Sequence, residues 1–373
     1  MQRFDVTYVT FDSVQEGVGS SQITPLLKRF TKDGMRVNLI SLEKDSPSED
    51  LRNTLESADI TWTHLPFGRG GASGVLDRIA RVQSRIVHTD LVHARSDLAA
   101  CSSLRANQAP VLWDVRSLWS DQRAYMATSQ TSELLAKSTR IFEFYASRKS
   151  DAMSTLTQAV VPELLSRNYR IPQKRIVVPT TVDLQLFQFA EKLPISIRAL
   201  YSGTYNSYYD LELSKAFSAE LRKLVPFEIH WARPHESGVD SLGVGETRTF
   251  QSSQAEMPAN ISKYSFGFSI CKLNAGVSLK AAMPTKVAEF LACGRPVVIN
   301  AGLGDFDGYL KDYGAGIVLT GGAEDLKQKA SELVNLLQDP GTPLRCRTLA
   351  LEHFNMDKAS KKYQDLYLLM RKE

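Results

Sequence analysis

The sequence predicts an α/β protein built as two doubly wound halves, each a parallel sheet covered by helices on both faces. Three observations carry that expectation. The chain has 373 residues, enough for two domains with ample cores. Short buried-strand runs alternate with helical stretches along its length. The alternation breaks once, after "KRIVVPTTVDLQLF" (174–187), where Pro179 and the polar run 180–185 read as a connection, and then it restarts.

Taken in order, "DVTYVTF" and "RVNLISL" read as strands around a helix near Gln22–Lys32. "ITWTHL", "LVHAR" and "APVLWDV" continue the pattern, with helices near Leu76–Val87 and Leu98–Ala106, and "DAMSTLT" (151–157) opens another unit. After the break, "RALYSGT" is a strand, "YDLELSKAFSAELRKL" a helix, and "FEIHWA" and "SFGFSICKL" are strands. "PVVIN" and "AGIVLT" are strands again, and a helix around Ala323–Leu337 completes the second half. Apolar residues at helical spacing recur in "MDKASKKYQDLYLLMR" (356–371). The expected domains are 1–183 and 184–355, with a C-terminal helix, about 356–373, able to pack back on the first.

Composition excludes several classes. The chain is 43% hydrophobic and 23% charged, and its net charge of +4 with no dense Lys/Arg block gives no case for nucleic acid. The basic stretches Arg78–Arg85 and Lys137–Lys149 read first as solvated helix faces. Cys101, Cys271, Cys293 and Cys346 are far apart, which argues against zinc and disulfides and fits a reducing compartment. Acidic residues at Asp5 and Asp12 and the lack of a long apolar run give the expectation of a cytoplasmic protein.

In open α/β sheets, ligands bind beyond the carboxyl ends of strands, against helix N-termini, and a cleft between two such domains is the default site. "MPTKVAEFLACGRPVVIN" (283–300) falls at such a place. Pro284 suits a first helical turn, and Gly294 can close the helix in a left-handed cap. Lys286 and Glu289 lie three apart on the face opposite Val287, Phe290 and Leu291. They read either as a surface ion pair worth a few tenths of a kcal/mol, or as a phosphate-binding lysine with a carboxylate one turn deeper.

The blocks along the chain resemble the retaining glycosyltransferases of family 4 (GT4), which have the GT-B fold. The likeness is to the bacterial branch that builds surface and capsular polysaccharides. It rests on "FDSVQEGVGSSQITPLLKRF", "VNLISLEK", "LVHARS", "LWDVRSLWSDQRA", "VVPTTVDLQLF" and "MPTKVAEFLACGRPVVINAGLGDFDGYL", in that order over nearly the whole chain. The resemblance implies two Rossmann-like domains facing a central cleft. The first would present the acceptor and the second would hold a UDP- or GDP-linked sugar. It implies that Glu289 takes the donor ribose, and that Lys286 with the amides near Pro284 and Thr285 meets the diphosphate. The turn at Gly203 and Thr204 would approach a phosphate. Arg233, Lys272 or Lys280 stands in for a basic pair that the family usually carries after that turn. Asp114 and Arg116 read either as a local ion pair or, joined by Arg95, as groups projecting into the cleft, and Asp114, Arg116 and Lys286 are the expected catalytic set. Gly17, Gly19, Ser20 and Trp119 would border the acceptor.

The implied reaction transfers a sugar to a hydroxyl with retention, without a metal or cofactor, the leaving phosphate helping to take the acceptor proton. Lipid-linked acceptors would place the enzyme peripherally at the inner membrane face. There is one departure. Eight positions before Glu289 the family commonly has a second glutamate, where this chain has Ala281. Two rivals stay open: a nucleotide-sugar epimerase, and a non-catalytic scaffold that binds a partner glycosyltransferase. In "GLGDFDG", Asp305 reads as a helix cap rather than a metal ligand.

Overall fold

The computed structural model describes residues 4–203, 208–233 and 241–371. The chain forms two compact units, Met1–Pro179 with Met356–Glu373, and Thr180–Asn355.

The first unit is built on seven strands: β1 (Asp5–Thr10), β2 (Arg36–Glu43), β3 (Ile60–Pro66), β4 (Leu91–Arg95), β5 (Val111–Val115), β6 (Ala152–Thr155) and β7 (Lys174–Val177). All pair in parallel, in the order β3-β2-β1-β4-β5-β6-β7. Helices on both faces explain the near-continuous apolar runs of β1, β4 and β5, since no strand face is left for water. The strand order reverses between β1 and β4.

The final helix, Met356–Met370, packs into this unit. Its buried stripe of Ala359, Tyr363, Leu366, Tyr367 and Met370 follows helical spacing and joins Phe4, Tyr8, Phe30 and Leu39 in one core. Burying each large apolar side chain contributes roughly 1.5–3 kcal/mol, so the helix is held by its stripe.

The second unit has six parallel strands: β8 (Arg198–Ser202), β9 (Glu228–Arg233), β10 (Arg248–Gln251), β11 (Phe266–Ser269), β12 (Val297–Asn300) and β13 (Gly316–Leu319). Their order is β10-β9-β8-β11-β12-β13, so the reversal falls between β8 and β11. Sequence reading missed β10, a short edge strand whose polar, partly exposed residues give no apolar run. It also carried one helix too far. The helix expected to Val87 spans Gly71–Gln83.

Two arginines fasten the connecting segment within this unit without any carboxylate. Arg295, almost fully buried, donates to the carbonyls of Ala190, Lys192 and Ser262 at 2.8–3.0 Å. Arg347 donates to those of Phe187, Leu184 and Ala292 at 2.7–3.2 Å. Neutral carbonyls can take up the two terminal nitrogens of a buried guanidinium because its donors fan out in a plane, while Arg295 Nε has no partner among the described residues.

The helix Thr285–Ala292 lies close on the sheet because β11 carries Gly267 beneath it. A Cβ built there would stand 2.4 Å from ring carbons of Phe290, which is fully buried and cannot swing away. Gly267→Ala should therefore destabilise the second unit by about 1–3 kcal/mol or more, read as a lowered denaturation midpoint.

Candidate functional site

The site in the second unit grows from the reversal point of its sheet. β8 ends at Ser202, and Gly203 follows with φ +97°, a backbone state that favours glycine. Its amide donates to Ala232 at 2.9 Å, and its carbonyl accepts the Trp231 indole N–H at 3.0 Å. The glycine's own polar groups are thus engaged. What it provides is close approach: a Cβ here would come within 3.5 Å of the Lys286 ammonium.

Beyond the strand ends, the chain at 208–210 pairs with 270–272. Tyr209 bridges Cys271, the Asp210 amide donates to Ile270 at 3.0 Å, and the Lys272 amide donates to Tyr208 at 2.9 Å. This puts the Tyr209 ring 4.3 Å from Lys286 Nζ, which also donates to the Ser202 carbonyl at 2.5 Å. Lys286 is therefore held over the end of β8 by a carbonyl and a π face, and among the described residues by no acid. Tyr209 is a residue that sequence reading missed. Its only signal was its place in an aromatic-rich turn segment.

Lys286 belongs to the helix Thr285–Ala292, whose N-cap is Pro284. Proline thus stands one position before the expected first turn. No side chain caps this end; the Val287 amide donates to the Pro284 carbonyl at 3.1 Å, and the Thr285 and Lys286 amides stand at the positive end of the helix dipole. One turn deeper is Glu289. Its carboxylate makes no hydrogen bond or ion pair among the described residues, which removes the surface-pair reading. The side chain is half-buried. Burial raises its pKa to about 7, with Lys286 opposing only in part. An unpartnered carboxyl in a recess is costly.

That cost is measurable. The folded carboxyl binds its proton more tightly than the unfolded one, so its stabilising contribution is complete below the unfolded pKa and is lost as pH rises through about 7. Glu289→Gln should leave the melting point unchanged near pH 4 and stabilise the protein by about 1–2 kcal/mol at pH 8, discounted for solvent screening.

The other expected donor-side residues vary. Arg233 ends β9 with its guanidinium 5.7 Å from the Trp231 ring centroid. Lys272 is half-buried beside the 208–210 segment, and Lys280 is exposed. Ala281 is buried and presents no polar group. Thr204 lies outside the described residues.

In the first unit, the structure corrects the expected role of Asp114. It is fully buried in β5, in register with Arg95 on β4 and Ser154 on β6. Its oxygens accept from Arg116 Nε at 2.6 Å, Ser154 Oγ at 2.6 Å, His93 at 3.2 Å and Tyr363 at 3.4 Å, with Arg95 at 3.9 Å. Burial would raise this carboxyl, but Arg116, His93 and Arg95 outweigh it and hold it well below the usual carboxylate range. His93 is pushed down by burial and stays neutral, its other nitrogen 2.5 Å from the Tyr367 hydroxyl. Arg116 also donates to Tyr363 at 2.5 Å. Asp114 and Arg116 hold a central strand and the last helix together. The buried Asp114 carboxylate is taken up by protein partners and does not project from the strand end, whereas Arg116 keeps part of its side chain exposed.

Gly17, Gly19 and Ser20 share one loop after β1. Its chain passes so near itself that a Cβ at Gly19 would meet the Ser13 carbonyl oxygen at 1.8 Å, and Gly19–Ile23 forms a π-helical turn before the helix Thr24–Lys32. Ser20 donates to the Gly17 carbonyl at 3.1 Å. The loop is pinned by Glu43 at the end of β2, which accepts from Ser13 at 2.5 Å, from the Val14 amide at 3.1 Å and from Ser41 at 2.5 Å. Glu43 went unread because the loop residues it pins, Ser13 and Val14, lie 30 and 29 residues away. Arg95 donates to Asp12 at 3.2 Å and so joins this loop to the Asp114 cluster. Trp119, half-buried, lies under Arg123 at 4.8 Å, with no hydrogen bond to that cluster.

Asp305 stands at the N-cap of the helix Phe306–Tyr313, but its side chain does not cap it, and Asp307 instead accepts the Gly302 amide at 2.8 Å. Arg78 is buried and donates to the Arg69 carbonyl at 2.6 Å, so the stretch 78–85 is not simply a solvated face. Among the described residues no three His, Cys, Asp or Glu side chains gather as a metal site would. Nor is any helix among them long and apolar enough to cross a membrane.

No protein-family model matches this sequence, and no curated protein matches it. Solved structures do. Sucrose-phosphate synthase from Thermosynechococcus elongatus superposes with TM-score 0.72 at 13% identity, over 98% of this chain and 99% of its own. A glycosyltransferase from Rickettsia africae ESF-5 matches with TM-score 0.72 at 15% identity, over 100% of both chains. Anabaena HepE in complex with UDP-glucose matches with TM-score 0.66 at 12% identity, over 96% of this chain and 98% of its own. At such identities the likeness establishes the fold, and the fold is GT-B.

Proposed function

We propose that this chain transfers a sugar from a nucleotide diphosphate donor to a hydroxyl of a glycan or lipid-linked glycan, with retention at the anomeric carbon, as in the assembly of a surface polysaccharide. The observation that carries the reading is Glu289: a half-buried carboxylate without a partner among the described residues, one turn below Lys286 at the reversal point of a parallel sheet. A ribose suits it, because an ionised carboxylate accepts hydrogen bonds through two oxygens and a ribose diol donates two. Lys286 and the uncapped helix end suit a diphosphate.

On this reading the second unit holds the donor. As the bond from the anomeric carbon to the leaving phosphate breaks, Lys286 and the helix amides take up the growing negative charge. The acceptor oxygen bonds the same face of the carbon, and its proton passes to the departing phosphate. No separate protein base, metal or cofactor is called for. HepE is solved with UDP-glucose, which makes uridine donors the first to try here. Four buried, unbridged thiols accord with a cytoplasmic setting.

Ala281 favours a second reading, a scaffold that binds without turnover, because it leaves a usual sugar contact unfilled. A panel of UDP- and GDP-linked sugars, followed by thermal shift and by release of nucleotide with and without glycan acceptors, separates the two. The expected result is stabilisation of about 2.7 kcal/mol by one base at a hundred times its Kd, with turnover only when acceptor is present. Stabilisation without turnover across the panel selects the scaffold. Conversion of the sugar without acceptor selects an epimerase, and no shift with any donor removes the proposal.

A further inference from the structure

Two consecutive helices of the first unit, Gln130–Ser138 and Arg140–Lys149, turn apolar side chains outward. On the second, Ile141, Phe144, Tyr145 and Arg148 fall at i, i+3, i+4 and i+7 and so share one face. By periodicity this stripe should face a core. It faces solvent: Ile141 is 65% exposed, Phe144 41% and Tyr145 37%, while the polar-bearing face of Glu143, Ala146 and Ser147 is buried. The preceding helix adds Leu134 at 69% and Leu135 at 52%.

Cations frame this apolar face. Arg148 lies 4.5 Å over the Phe144 ring, Lys149 follows it, and Arg123 lies over Trp119 on the neighbouring helix Trp119–Tyr125. Lys137 is paired with Glu133, and Arg140 with Asp121. Arg123, Arg148 and Lys149 have no carboxylate at ion-pair distance among the described residues.

From this we infer that the face docks on an anionic phospholipid surface, the two helices lying in its plane. The apolar stripe can enter the acyl boundary while arginine and lysine stems reach to the headgroups, and Tyr145 suits that boundary with its polar tip. A second copy of the chain is a poorer occupant. A two-fold contact would bring a second set of the same cations to the interface, since Glu133 and Asp121 are already paired with Lys137 and Arg140. The inference does not depend on the donor reading, and nucleotide-induced stabilisation reports on that reading separately.

Co-sedimentation of the full chain with vesicles of phosphatidylcholine, with and without phosphatidylglycerol, tests it. The wild type should pellet only with the anionic vesicles, and less as salt rises. Arg148→Gln with Lys149→Gln should lower the partition coefficient roughly thirtyfold, at about fivefold per cation. Ile141→Ser with Phe144→Ser should lower it more than tenfold. The charge variant keeps every apolar side chain, losing only the stacking of Arg148 on Phe144, and so guards against misfolding of the other. The proposal is overturned if the wild type stays in the supernatant, if both variants pellet like wild type, or if the wild type is a dimer that the Ile141→Ser, Phe144→Ser variant splits.

Discussion

Asp114→Ala should destabilise the first unit by about 3–5 kcal/mol, the range for removing one partner of a buried ion pair. The size follows from what is left behind. Arg116 would keep a buried guanidinium facing Tyr363, the Ser154 hydroxyl would lose its acceptor, and His93 would lose the carboxylate that fixes its tautomer. Two of the affected groups, Tyr363 and Tyr367, belong to the last helix, so hydrogen exchange in 356–370 should speed up along with global unfolding. Asp114→Asn keeps the shape and loses the charge, and should fall between the two. The sign with pH is fixed. Because the folded carboxyl titrates below its unfolded value, its contribution is complete above about pH 4 and is lost as pH falls further. A urea midpoint for Asp114→Ala close to wild type at pH 7 would contradict the buried network.

Lys286→Ala should lower turnover about 10²–10³-fold, the usual effect of removing one charge-stabilising donor from a transition state. The lysine is prepared for that role. The Ser202 carbonyl and the Tyr209 ring fix its position in the absence of a ligand, and neither neutralises its charge. The folded protein loses a charge-assisted hydrogen bond to Ser202 and the contact with the Tyr209 ring, so stability should fall by about 1–3 kcal/mol. Loss of turnover in a protein that is still fully folded at the assay temperature is the signature. Loss of turnover together with loss of the fold would make Lys286 a structural residue.

Much of the fold was legible because parallel strands buried on both faces leave continuous apolar runs, as in "DVTYVTF" and "PVVIN". The helix Thr285–Ala292 was legible too, since a proline start, an apolar face and a glycine stop are local signals. Asp114 misled for the opposite reason. Its neighbours in sequence suggest a strand end open to a ligand, whereas its burial comes from His93, Ser154 and Tyr363, which are 21, 40 and 249 residues away. Glu43 and Tyr209 act through contacts that no spacing rule encodes. The stripe Ile141–Phe144–Tyr145 shows the limit of periodicity itself: spacing tells which residues share a face, and only packing tells which way that face turns.

The central claim is that Glu289 and Lys286 form a nucleotide-sugar site, and titration calorimetry on Glu289→Ala reads it directly. Two hydrogen bonds to a charged acceptor are worth about 3 kcal/mol or more, so the variant should bind the stabilising nucleotide sugar at least a hundredfold more weakly than wild type while keeping its fold. Equal affinity in the two proteins would contradict the account, because the unpartnered carboxylate would then have no ligand to meet.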